Sequence, residues 1–173
     1  QLLFRIGAAY DLLMYIGVII LSVALYQVLQ TVNKSVSQTA IYSRIGEAFI
    51  GSLTVVCSIA ILVLINSDHS SEEVNKMTTF IFEIKHVLLN IVFAFLGFGS
   101  ILFCYLFYRA RYIPRILAAF GMLAFALVFG ESIAVLLFSV KSTVFTGAPA
   151  ILFELTIGLW LMIKGVNTSF LSA

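Results

Sequence analysis

Three polar side chains share one helical face at the start of a long apolar stretch, in the segment IFEIKHVLLN that ends at Asn90. Glu83, His86 and Asn90 are spaced i, i+3 and i+7, and this spacing places them on the same side of an α-helix. An imidazole beside carboxylates could bind a proton, a cation or a small polar ligand, ligate a metal, or act as a general base. Lys85 lies off the shared face.

The composition of the chain indicates that it is surrounded by lipid. Of its 173 residues, 62% are hydrophobic and only 10% are charged, whereas a soluble domain has about 25% charged residues. The net charge of +2, without a basic patch among exposed aromatics, excludes a nucleic-acid-binding protein. Cys57 and Cys104 both fall in apolar runs, where a cysteine usually acts as a small buried hydrophobic residue.

Five apolar stretches are long enough to cross a membrane, since a spanning helix needs about 20 apolar residues. We predict an all-α integral membrane protein, an antiparallel bundle of five transmembrane helices in a single domain that covers 1–173. The predicted spans are approximately 8–31, 42–66, 83–108, 114–139 and 146–166. The third helix is expected to extend back to a cap at Ser70 or Ser71, with Glu73 in its first turn. Pro114 is expected at a helix start.

The orientation in the membrane follows from three arginines in one short connection. Arg109, Arg111 and Arg115 lie in the segment YRARYIPR between the third and fourth helices. Because positively charged connections stay in the cytoplasm, we predict that this turn is cytoplasmic and that the first residue lies outside.

In that orientation, polar side chains from four helices fall in the outer half of the membrane. Asp11 lies near the outer surface, where it could instead pair with Arg5, while Glu131 and Glu154 lie deeper. Ionisable groups are costly in hydrocarbon, so they face the bundle interior and pair there. We therefore predict one polar site, which binds a proton, a cation or a small polar ligand. Its predicted residues are Asp11, His86, Asn90, Glu131 and Glu154.

This site implies particular contacts. We expect Glu131 or Glu154 to reach His86 directly or through one water, and the Glu154 carboxyl to face the bundle rather than lipid. Lys85 is expected to extend to the membrane–water interface. The alternative is structural: both glutamates could be protonated and hydrogen-bonded, and His86 could be an ordinary interfacial or core histidine.

A second group of charges is expected near the cytoplasmic side. Arg44 and Glu47 are spaced i, i+3 on the second helix and can neutralise one another. The pair is predicted to be structural, although with Arg109 and Arg111 it could bind an anionic lipid headgroup.

Catalysis is the weaker interpretation. The segment HVLLN has the His-x-x-x-Asn spacing of some intramembrane proteases, but those need a Glu-Glu motif and further histidines, and the only other histidine here is His69. The chain contains no Gly-x-Ser-x-Gly, His-Glu-x-x-His or phosphate-loop motif. We assign no catalytic residue, metal or cofactor. A further alternative is a structural or accessory subunit, whose partners are the lipid bilayer and other membrane subunits or further copies of the chain.

Four blocks of the sequence resemble a bacterial polytopic membrane family catalogued as domain of unknown function 4386. They are FRIGAAYDLLMYIGVIILSVALYQVLQTVNKSVS, YSRIGEAFI, YLFYRARYIPRILAAFGMLAF and FELTIGLWLMIKGV. The resemblance covers nearly the whole chain and implies a multi-pass protein of the bacterial cytoplasmic (inner) membrane. Members typically have an additional N-terminal spanning helix, which implies six helices in the full-length protein. The resemblance implies no particular activity.

Overall fold

The structure is a computed structural model that describes residues 2–66, 70–138 and 144–165, so that His69 lies outside the described residues. The described residues form five α-helices and contain no strand. All five are long and apolar enough to cross a membrane. This confirms the prediction of an all-helical membrane bundle. The helices are α1 (Leu2–Leu29), α2 (Lys34–Ile65), α3 (Ser71–Ala110), α4 (Arg115–Phe138) and α5 (Val144–Lys164).

Two helices begin well before the spans predicted from apolar length. α2 begins at Lys34 rather than at 42, because the Asn33 side chain caps it by accepting a 3.1 Å hydrogen bond from the Val36 amide. α3 begins at Ser71, and Ser70 is its N-cap residue. The Ser70 hydroxyl donates to the Glu73 carboxylate at 2.8 Å and makes no hydrogen bond to the backbone of the first turn. With 40 residues, α3 is about 60 Å long, roughly twice the thickness of the hydrocarbon core.

α3 lies at the centre of the bundle. It packs along α2 on one side and along α4 on the other, while α1 packs mainly on α2 and α5 packs on α4. No Cα atoms of α1 and α5 approach within 8 Å of each other in the described ranges. The arrangement is therefore an open arc of helices, with a gap between its first and last members.

A glycine sets the closest approach of α1 to α2. The ring of Tyr15 lies directly over Gly51, where the Cβ of any other residue would overlap the ring carbons. Tyr15 is only 6% exposed, and its hydroxyl is hydrogen-bonded to Thr54 one turn further along α2. A large aromatic side chain thus joins the two helices because its neighbour has no side chain.

The connection between α3 and α4 closes one end of the bundle, which we call the arginine end. Tyr112 and Ile113 turn inward and are each 3% exposed. They pack in a core with Leu106 and Phe107. Arg111 takes a left-handed backbone conformation (φ 58°) that ends α3. This inward turn leaves the three arginine side chains of the connection exposed, namely Arg109, Arg111 and Arg115.

Candidate functional site

Three of the five predicted site residues line one cavity of about 370 Å³ between α3, α4 and α5. We call it the Glu131 cavity. Asn90 comes from α3, Glu131 from α4 and Glu154 from α5. The other lining residues are mostly apolar: Phe93, Leu96, Phe125, Val128, Ser132, Gly147, Ala150 and Ile151. The cavity occupies the half of the bundle away from the arginine end, because Glu131 lies about 24 Å along α4 from its first residue.

Glu131 joins α4 to α5. Its side chain is half-buried, and its Oε2 accepts a hydrogen bond from the Thr146 hydroxyl of α5. The neighbouring Ser132 hydroxyl donates instead to the Val128 carbonyl of its own helix, at 2.9 Å. Glu131 therefore supplies the carboxyl group on the α4 side of the cavity.

Asn90 is held in place by the preceding turn of α3. Its side chain is buried, and its amide nitrogen donates to the His86 carbonyl oxygen at 2.9 Å. The same nitrogen lies 3.3 Å from Nδ1 of His86. The i, i+4 spacing thus orients the amide on the cavity wall.

Among the described residues, His86 makes no direct contact with either glutamate, and the expected contact through one water stays a prediction. Its side chain is exposed, and among the described residues its hydrogen-bonding contact is with Asn90. The reason is depth. His86 lies about 36 Å along α3 from the arginine end, whereas Glu131 lies about 24 Å along α4. Asn90 is among the described residues that line the cavity, and His86 is not.

The Lys85 side chain, which was expected to extend to the membrane–water interface, contacts α2 in the structure. Its ammonium donates a 2.7 Å hydrogen bond to the Ser58 hydroxyl of α2. Ser58 is buried, and its own hydroxyl donates to the Thr54 carbonyl at 3.0 Å. The side chain points into the α2–α3 packing because α2 offers a polar acceptor there.

Asp11 is not part of this group. Its side chain is exposed on α1, and it lines neither this cavity nor the one described next. In the described ranges, no Cα atom of α1 lies within 8 Å of a Cα atom of α4, the helix that carries Glu131, so a shared site of Asp11 and Glu131 stays a prediction.

A second cavity of about 320 Å³, the Arg44 cavity, is lined by residues of all five helices. Its polar lining includes Arg44, Ser100 and Glu154, so that Glu154 borders both cavities. The remaining lining residues are Val18, Leu21, Ser22, Leu25, Phe103, Cys104, Phe107, Phe125, Phe153, Ile157, Gly158 and Leu161.

Arg44 is a buried, positively charged residue of α2. Its side chain is 9% exposed, and Nη1 lies 2.7 Å from the Glu47 carboxylate, itself 3% exposed. Nη1 also donates to the Ser100 hydroxyl of α3 at 3.4 Å. Gly99 makes room for the arginine, because a Cβ at this position would lie 3.1 Å from Arg44 Cδ. Glu154, an exposed residue of α5, lines the same cavity, and among the described contacts it forms no hydrogen bond or ion pair with Arg44.

The depth of this pair differs from the sequence-based expectation. Arg44, Ser100 and Glu154 each stand ten residues from the end of their helix at the arginine end. This is about 15 Å, or half of the roughly 30 Å hydrocarbon thickness. The pair therefore lies near the middle of the apolar zone rather than at a surface. Ser100 was missed from sequence, because nothing in the segment GFGS indicates which helix it faces.

Arg109 and Arg111 stay apart from both cavities. They are exposed at the arginine end, beside Arg115, whose guanidinium lies 5.5 Å from the centre of the Tyr108 ring. Lys164 of α5 stands over the Trp160 ring at 4.4 Å.

In the described ranges, no three His, Cys, Asp or Glu side chains lie close enough together to hold one metal ion.

The helices, the mid-depth ion pair and the two lined cavities define a multi-pass helical membrane protein with internal polar sites. The chain belongs to the family described as domain of unknown function (DUF4386), whose profile matches residues 1–165. This confirms the resemblance seen in the sequence. No curated protein and no solved structure matches the chain.

Proposed function

We propose that this protein binds a small cation, such as a compact ammonium ion or a proton, in the Glu131 cavity. The observation that carries the proposal is the convergence of Asn90, Glu131 and Glu154 from three helices on one cavity of about 370 Å³. Ionisable side chains are rare in membrane-spanning segments and usually serve a substrate, an ion or a proton path.

The lining of the cavity favours a cation over an anion. Its described lining residues include two glutamates and an amide, and none of these described residues is a lysine or an arginine. Phe93 and Phe125 add aromatic side chains, and ring faces attract ammonium groups. The largely apolar wall favours an ammonium with apolar substituents over a strongly hydrated ion. Lys85 does not compensate the carboxylates, because its ammonium bonds to Ser58 on the other side of α3.

The location and orientation belong to the same proposal. We place the protein in a bacterial inner membrane with the arginine end in the cytoplasm, where a short, positively charged turn is retained. The exposure of Arg109, Arg111 and Arg115 at this end supports that orientation. The Glu131 cavity then lies in the outer half of the membrane.

A structural or accessory role in a larger membrane complex is the alternative. The observation in its favour is the long exposed apolar face of α5, which includes Leu155, Leu159 and Met162. Partners that copurify at a fixed ratio from mild detergent would favour this role, whereas a chain that purifies alone and binds a cation would favour the first.

Cation binding is tested by thermal unfolding of the purified protein in tetramethylammonium, potassium or sodium chloride at constant ionic strength. Tetramethylammonium is expected to raise the unfolding midpoint of the wild type, by the stabilisation that any ligand of the folded state provides. Glu131→Gln should remove this shift. Glu83→Gln is the matched control, because Glu83 is exposed and lines neither cavity.

The proposal fails if no cation shifts the wild-type midpoint and if lowering the pH does not change the difference between the wild type and Glu131→Gln. It also fails if Glu83→Gln removes the shift as completely as Glu131→Gln does.

A further inference from the structure

We infer that the Arg44 cavity is a second, separate site, which takes an uncharged, membrane-soluble amphiphile. Its headgroup would accept hydrogen bonds from Arg44 and donate one to Glu154. The site is reached from the bilayer through the gap between α1 and α5. This inference does not depend on cation binding in the Glu131 cavity.

The first observation is the unused hydrogen-bonding capacity of Arg44. A guanidinium has five N–H donors. Both contacts that Arg44 makes, with Glu47 and with Ser100, use Nη1. Nε and Nη2 make no hydrogen bond to the described residues, although the side chain is 9% exposed and lines the cavity. An acceptor oxygen in the cavity would therefore form a hydrogen bond to a charged group, which is stronger than one between neutral groups.

The depth of Arg44 restricts the ligand to uncharged molecules. The guanidinium level is about 15 Å from the arginine end, near the middle of the hydrocarbon zone. A charged or phosphate-bearing headgroup stays at the membrane surface, because moving it to this depth is costly. An amide, alcohol or carbonyl headgroup can reach the centre of the bilayer.

The charges around the Arg44 cavity also favour an uncharged ligand. Glu47 already balances Arg44, and Glu154 stands at the border of the cavity. An anionic headgroup would meet two carboxylates, and a cationic one would meet the guanidinium. The Ser22 hydroxyl is not available as a donor, since it bonds to the Val18 carbonyl at 2.6 Å. A neutral group that both accepts and donates matches Arg44 and Glu154 together.

The shape of the cavity provides an entry and a place for an apolar tail. No Cα atoms of α1 and α5 in the described ranges lie within 8 Å of each other, so the cavity opens between them. Gly158 lines this side, and a Cβ there would meet nothing within 4 Å. Towards the arginine end the lining is apolar, with Leu25, Phe107 and Leu161. The polar group would therefore bind at mid-depth and the tail would lie below it.

The test uses the protein in lipid nanodiscs and dodecanamide that carries a photoactivatable diazirine on its tail. Cross-linked peptides are identified by mass spectrometry. Labelling is expected on the cavity sides of α1 and α5 and should be competed by unlabelled dodecanamide. Dodecyltrimethylammonium and dodecyl sulfate have the same tail with a permanent charge. Each is expected to compete at least about tenfold more weakly, which corresponds to the loss of one hydrogen bond to a charged group.

Two matched variants separate the two sites. Gly158→Leu adds a side chain to the lining of the Arg44 cavity at a position where the Cβ meets nothing within 4 Å, and it is expected to reduce labelling at least about tenfold. Gly147→Leu is its control, because Gly147 lines only the Glu131 cavity and its Cβ position is equally open. Gly147→Leu should keep dodecanamide labelling but lose stabilisation by tetramethylammonium, so failure of one proposal is distinguishable from failure of the other.

The double variant Arg44→Gln with Glu47→Gln removes the donors without leaving a single buried charge, and it should also lose labelling. If labelling persists in both this variant and Gly158→Leu, the labelling comes from ordinary contact with lipid-facing surfaces. This result would overturn the inference. Stronger competition by either charged analogue would overturn it too. So would a dimer in the wild-type nanodisc that Gly158→Leu dissociates, because a second copy would then fill the gap.

Discussion

Lys85 of α3 donates a 2.7 Å hydrogen bond to the Ser58 hydroxyl of α2, so that a lysine near the end of a spanning segment is directed into the helix packing. Ser58 is 5% exposed and lies one turn beyond Thr54, whose carbonyl it contacts. The three groups form a polar chain between α2 and α3. Because its ammonium bonds to Ser58 of α2, Lys85 is directed away from the glutamates that line the Glu131 cavity.

Replacing Ser58 tests this chain. Ser58→Ala removes the acceptor of a half-buried ammonium and is expected to destabilise the protein by about 1–3 kcal/mol, the range for hydrogen bonds to charged groups. The measurement is reversible unfolding in mixed micelles with increasing sodium dodecyl sulfate. Ser52→Ala is the control on the same helix, because the Ser52 hydroxyl bonds only to the Phe49 carbonyl of its own turn, at 2.7 Å. Equal losses in the two variants would show that Lys85 does not depend on Ser58.

The packing of Tyr15 over Gly51 predicts a coupling between the two positions. Gly51→Ala should destabilise the wild type by about 1–3 kcal/mol, as overpacking does, because its Cβ would overlap the Tyr15 ring. In a Tyr15→Ala background the same change should be neutral or stabilising, since alanine favours helix by about 1 kcal/mol over glycine.

A glycine elsewhere on α1 gives the control for this coupling. Gly17→Ala places a methyl group where nothing lies within 4 Å, so it should not destabilise either background. Additive effects of Gly51→Ala and Tyr15→Ala in a double-mutant cycle would contradict the close contact.

The proposed orientation predicts which residues can be labelled from outside the cell. In a variant with Cys57 and Cys104 replaced by alanine, a cysteine at Ser70 should react with an impermeant maleimide on intact cells. A cysteine at Ala110 should react only after the membrane is permeabilised, because it lies at the arginine end. The reverse pattern would place the Glu131 cavity in the cytoplasmic half.

The sequence predicted the helices well because apolar length is a local property, and each helix was found near its expected place. It failed at the start of α2, where polar residues after Asn33 form a capped helix rather than a connection. The predicted ends at 139 and 166 lie outside the described residues.

The candidate site was predictable only in part, for a different reason. Asn90, Glu131 and Glu154 could be grouped because helix periodicity and orientation give the face and the approximate depth of each. The partner of a long side chain depends on packing between helices, which the sequence does not provide. Lys85 therefore bonds to Ser58, which lies 27 positions earlier in the sequence, and Arg44 bonds to Ser100, which lies 56 positions later.

The ion pair of Arg44 and Glu47 gives the largest expected effect on stability. Glu47→Ala leaves a 9%-exposed guanidinium without its carboxylate, and breaking a buried pair in this way costs about 3–5 kcal/mol. Replacing both residues, with Arg44→Met and Glu47→Leu, removes both charges and should restore most of that loss, because no charge is then left unpaired.

The exposed pair Glu72 and Lys76 provides the matched comparison for this experiment. It has the same 2.7 Å separation, but its side chains are 75–80% exposed, so Glu72→Ala should change stability little. Unfolding in sodium dodecyl sulfate compares these three variants with the wild type. If Glu47→Ala is as mild as Glu72→Ala, then Glu154 already balances Arg44 across the cavity. Glu154→Gln can then be combined with Glu47→Ala. If the combined variant also loses stabilisation by tetramethylammonium, Glu154 contributes both to the Glu131 cavity and to the Arg44 cavity.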